Sequence, residues 1–122
     1  MTRFETPRRL LFWEGSAKRD FMEFPLPVRK ELGVALFVVQ VGGAPSKTRP
    51  WKGLGPGVYE LVDDHRGDTY RAVYTLRIAG NVHVLHAFQK KSKSGTKTPK
   101  ADVDLIERRL KVVLERYRLT RG

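Results

Sequence analysis

The sequence predicts an α+β fold in the order β-α-α-β-β-β-α, a small antiparallel sheet with helices packed on one face. Two observations lead there. Between Val58 and Phe88, three runs rich in β-branched and aromatic residues follow one another across short turns of Asp, Gly and Asn. Apolar residues at helical spacing lie before and after them. No segment repeats another, and 122 residues suit one domain, taken as residues 1–122.

Arg8 to Trp13 reads as the first strand. Ser16 can cap a short helix through Glu23, and Pro25 and Pro27 interrupt the chain there. From Pro27 to Val41 a second helix is expected, with Val28, Leu32, Ala35, Leu36 and Val39 on its inner side. Gly42 to Gly57 reads as a linker with five Gly and three Pro, and it carries Lys47, Arg49, Trp51 and Lys52. The meander is expected as Val58–Val62, a turn over 63–68, Thr69–Ile78, a turn over 79–81, and Val82–Phe88. In its middle strand Tyr70, Ala72, Tyr74, Leu76 and Ile78 share a core face, and Arg71, Val73, Thr75 and Arg77 share a charged, half-open one. After a basic loop, Thr98 and Pro99 open a last helix that runs to Tyr117.

Charge narrows the function. There are 24 Lys plus Arg against 13 Asp plus Glu, a formal +11, which attracts polyanions and makes nucleic acid the first partner to consider. Cysteine is absent, which excludes disulfides and thiolate metal sites. The longest apolar run, Val34–Val39, is too short to span a bilayer, and residues 1–20 lack the apolar centre of a secretory signal. A cytoplasmic protein with no membrane partner is expected.

Three features could carry chemistry. Arg71 stands in mid-strand between Tyr70 and Tyr74 and on the face opposite both; its planar fork either holds a phosphate or pairs across the sheet with Glu60. The run Lys90, Lys91, Lys93, Lys97 has no acidic neighbour and suits phosphate contact, as do Arg66, Lys47, Arg49 and Lys52. Histidine is the third. Residues three apart in a strand point to opposite faces, so His83 and His86 make poor joint metal ligands, and no metal or cofactor is expected. His86 is expected beside Val82, Val84 and Phe88, where a core role and a catalytic role both fit. No Walker loop, nucleophile elbow or dinucleotide fingerprint is present.

The stretches Lys52–Leu61, Asp68–Tyr74, Val84–Ser92 and Lys97-Thr98-Pro99 together resemble the phage-related branch of the RelE/HigB toxins, across about residues 8 to 117. The resemblance implies the toxin of a type II toxin–antitoxin pair. Such a toxin is a ribosome-dependent endoribonuclease that cuts mRNA by attack of a ribose 2′-OH on the adjacent phosphate, without a metal ion. The implied partners are the ribosome, mRNA and a cognate antitoxin, expected to be a helix-turn-helix protein. The implied catalytic set is Arg71 for phosphorane charge, with Lys91 or His86 for proton transfer. One departure stands out: some relatives carry a Tyr near the start of the last helix, and Thr96 to Val103 holds none. The alternatives are a ParE-like toxin that binds DNA gyrase and cuts nothing, and a non-toxic basic nucleic-acid-binding module.

Overall fold

The computed structural model describes residues 8–90 and 98–121. Its elements are β1 (Leu11–Trp13), α1 (Ala17–Met22), α2 (Leu26–Gln40), β2 (Thr48–Pro50), β3 (Val58–His65), β4 (Asp68–Thr75), β5 (Val82–Lys90) and α3 (Lys100–Arg121). They form one five-stranded sheet in the order β1-β5-β4-β3-β2. β1 runs parallel to β5, and the other pairings are antiparallel. The expected element order is present with one addition: part of the linker, Thr48–Pro50, joins β3 as the edge strand β2. No helix among the described residues is long and apolar enough to cross a membrane.

The helices do not share one face. α1 and α2 bury Phe21, Val28, Leu32 and Val39 against Leu61, Ala72, Tyr74 and Val84. α3 lies on the opposite face and buries Ile106, Leu110 and Val113 against Val58, Val73, Leu85 and Phe88. The expectation of a single covered face is corrected by β4. Tyr70, Ala72 and Tyr74 serve the first core, while Val73 and Thr75, expected on an open face, are fully buried on the second side. A strand with apolar groups on both sides requires two covers. Burial of the three α3 side chains contributes roughly 1.5–3 kcal/mol each.

Two backbone details redirect side chains. His65 faces Asp68, leaving Arg66 and Gly67 as a two-residue turn with φ of 51° and 84°. This is the primed hairpin geometry, so the strands reach further into 63–68 than expected. Between β4 and β5 the register slips: Val73 faces His86, yet Tyr74 faces Val84. The bulge at Leu85 shifts the alternation by one. His83 and His86 therefore both face α3, against the simple three-residue rule, and His86 shares a side with Phe88 but not with Val82 or Val84.

α3 is tied to the sheet through both histidines. His86 Nε2 donates to Asp102 Oδ1 at 2.7 Å in the first turn of α3. At the other end, His83 Nδ1 and Arg116 donate to the two oxygens of buried Glu14, at 2.9 and 2.8 Å. Arg109 joins α3 to the Leu85 carbonyl and to Ser16, whose own hydroxyl donates to Asp20 instead of capping α1. Burial works to raise the Glu14 carboxyl, but the bonds from Arg116 and His83 outweigh it and hold it below 4.5. A carboxyl depressed on folding adds stability above its unfolded value, and that stability is lost as pH falls through the folded value. Glu14→Gln should thus lower the melting temperature at pH 7 and flatten its decline below about pH 4.5. Melting curves from pH 2.5 to 7 check this, and parallel curves for both proteins would contradict it.

Candidate nucleic-acid interface

On the α3 side, the end of the sheet formed by β2, β3 and β4 is left as an open groove of about 750 Å³. It is lined by Arg49, Pro50, Trp51, Lys52, Glu60, Arg71, Thr98 and Val103. Register explains the grouping. Arg49 lies opposite Glu60 across β2 and β3. Glu60 lies opposite Val73, two residues along the ladder from Arg71 opposite Val62, so the two side chains meet diagonally on one face. Trp51 forms the floor, buried with Val58 and Val73.

Arg71 Nη1 donates to Glu60 Oε1 in an ion pair whose side chains are 14% and 11% exposed. The cross-sheet pairing weighed from sequence is therefore present, and it occurs within the groove. It satisfies only part of the guanidinium: Arg71 Nε is buried without a hydrogen-bond partner. Lys90, opposite Thr69 at the end of β5, is 5% exposed. Desolvation and the nearby Arg71 push its ammonium below the usual 10.5, and Glu60 pulls the other way by less. Half-buried Arg71 is bonded to Glu60, buried Lys90 lies close to both without lining the groove, and Arg49 and Lys52 add charge to the lining. An enclosed cation lacking full compensation favours an anion.

The remaining candidates are scattered. Lys47 is neutralised by Asp63 at 2.9 Å and Glu31 at 3.9 Å, and its pKa is raised, chiefly through the bond to Asp63. Arg66 is exposed at the β3–β4 turn and does not line the groove. His86 is buried, stacked on Phe88 at 4.8 Å and bonded to Asp102, with Nδ1 unpartnered; it does not line the groove either. Lys91, Lys93 and Lys97 lie outside the described residues. Among the described residues no cluster of His, Asp and Glu is arranged to hold a metal ion. Thr98, Val103 and Asp102 were not singled out as site residues in the sequence; the only signal was their place at the expected start of the last helix.

The fold and groove define a small basic α+β protein with the RelE fold. Residues 19–111 match the model of the family described as phage-derived protein Gp49-like, and the chain belongs to that RelE/HigB-like family. Among solved structures it is similar to E. coli RelE toxin carrying two Arg-to-Ala substitutions, in the free state, with TM-score 0.51 and 21% identity over 66% of this chain and 81% of that one. It is likewise similar to isolated E. coli RelE toxin, with TM-score 0.50 and 18% identity over 82% of this chain and 97% of that one. At these identities the likeness establishes the fold. No curated protein matches the sequence.

Proposed function

We propose that this protein is the toxin of a toxin–antitoxin pair and cleaves mRNA at the ribosome in the cytoplasm, held in check by a cognate antitoxin. The observation that carries this reading is the open basic groove lined by Arg49, Lys52 and the Arg71–Glu60 pair, with the incompletely compensated ammonium of Lys90 close to Arg71. A phosphodiester supplies the missing negative charge. Arg49 and Lys52 hold flanking phosphates. Lys90, whose pKa is lowered from 10.5 so that more of it is neutral than in a free lysine, takes the proton of the ribose 2′-OH. The 2′-oxygen bonds to phosphorus, Arg71 stabilises the phosphorane charge, and the bond to the 5′-oxygen breaks. Lys91, next in the chain, returns a proton to that leaving oxygen. The products are a 2′,3′-cyclic phosphate and a 5′-hydroxyl. Glu60 positions Arg71. His86, through Asp102, fixes the start of α3, whose Val103 forms one wall of the groove.

Purified protein, ribosomes and a defined mRNA test the reading. Cleavage should appear at mapped positions and vanish when the attacking nucleotide is 2′-deoxy. Cutting that survives the deoxy substitution removes the mechanism, and gyrase inhibition without cutting assigns the protein to the non-nuclease class. Binding to a non-cleavable deoxy oligonucleotide should weaken with salt. Arg49→Gln with Lys52→Gln should reduce the log–log slope by about 1.4, from roughly 0.7 per single-strand phosphate. An unchanged slope would take both residues out of the interface.

A further inference from the structure

A second cavity lies at the opposite end of α3. It measures about 410 Å³ and is walled by Phe12, Ile78, His83, Val113, Arg116 and Tyr117. The walls are mostly aromatic and aliphatic, and Arg116 brings a cation to them. None of these residues lines the basic groove. α3 is 22 residues long, about 33 Å, so a ligand in one cavity leaves the other free.

We propose that this cavity is a docking site for an acidic protein segment that inserts one large apolar side chain. Its volume admits an aromatic ring, and Phe12, already stacked on His83 at 4.8 Å, offers a second ring face. The apolar surface does not end with the cavity: Phe12 is 41% exposed, and Leu10, just before β1, is 58% exposed. Exposed apolar surface around an apolar cleft suits a polypeptide better than a small molecule. Charge selects the kind of polypeptide. Arg116 is the cation among the lining residues, and the same half of α3 also carries Lys111 and Arg118, with Glu115 as its one acid, paired to Arg118. Arg116 is 55% exposed although one of its nitrogens bonds Glu14, so its outer edge remains open to a partner carboxylate. A second copy, with the same +11, would meet repulsion at this end. The anchor supplies affinity, and the acidic flanks supply steering and register.

The assignment stands on this cavity alone, so its failure leaves the RNA reading untouched. The probe is a capped six-residue peptide of glutamates around one phenylalanine, titrated into isotope-labelled full-length protein. Chemical-shift changes are expected at Phe12, His83 and Val113. Replacing the peptide phenylalanine with alanine should weaken binding at least fivefold on the unaltered protein. Phe12→Ala and Arg116→Gln in the protein should do the same. Any of four results overturns the proposal: no shifts, shifts centred on Arg71 and Lys90, equal binding of the alanine peptide, or equally tight binding of phenylacetate. Sedimentation showing a dimer that Phe12→Ala abolishes would assign the surface to a second copy and overturn it as well.

Discussion

Arg71→Ala should reduce RNA cleavage by on the order of 10²–10³-fold, the usual cost of removing one fixed donor to a developing oxyanion. Arg71 meets the requirements for that role. It sits on a central strand, its charge is permanent, and its Nε has no partner in the free protein. The same substitution leaves Glu60 buried without its cation, so stability should also fall by about 1–3 kcal/mol. Loss of folding must therefore be separated from loss of chemistry. The double variant Glu60→Gln with Arg71→Ala removes both charges and should recover most of the melting temperature without recovering cleavage. If cleavage returns in the double variant, the single variant was only unfolded. If folded Arg71→Ala cleaves like the parent, the proposed site is wrong.

Periodicity made the elements legible, and it misled where a single residue broke the period. The alternation around Arg71 placed it opposite Tyr70 and Tyr74, as found, because β3 and β4 pair without interruption over that stretch. The same rule failed for His83 and His86, since one bulge at Leu85 puts both toward α3. Nothing local in Val84-Leu85-His86 announces that bulge; the fit of β5 against β4 and α3 decides it. The placement of α3 was missed for a related reason. Val73 and Thr75 lie between Arg71 and Arg77, and the flanking charges made their face look open, although the charged positions cluster at its ends. The linker illustrates a third limit. Arg49, Trp51 and Lys52 were identifiable as basic and aromatic loop residues, but that β2 would pair with β3 and bring Arg49 opposite Glu60 is a long-range contact with no local signature. Charge alone could not distinguish Lys47, which Asp63 neutralises, from Lys90, which is compensated incompletely.

Lys90→Met should make the protein more stable and nearly inactive. In the fold, desolvation, followed by Arg71, disfavours the charged form of Lys90, lowering its pKa from 10.5. A lysine depressed on folding penalises the folded state wherever the unfolded chain keeps it protonated. That penalty is complete below the folded value, and it is relieved as pH rises from there toward the unfolded value. Methionine fills a similar volume without a charge. Removing the penalty should raise the melting temperature at pH 7. The gain should shrink as pH approaches 10.5, because the parent protein then sheds the same proton. Cleavage should fall in the opposite direction, by on the order of 10²-fold or more, through loss of the proposed base. Lys90→Arg keeps the charge but holds its proton, so it should bind the deoxy oligonucleotide and fail to cut the ribonucleotide. Melting curves at pH 7 and 10, with cleavage assays on the three proteins, decide the matter. A less stable Lys90→Met would mean that the ammonium is compensated in the fold, and a cleaving Lys90→Arg would move the proton-transfer role elsewhere.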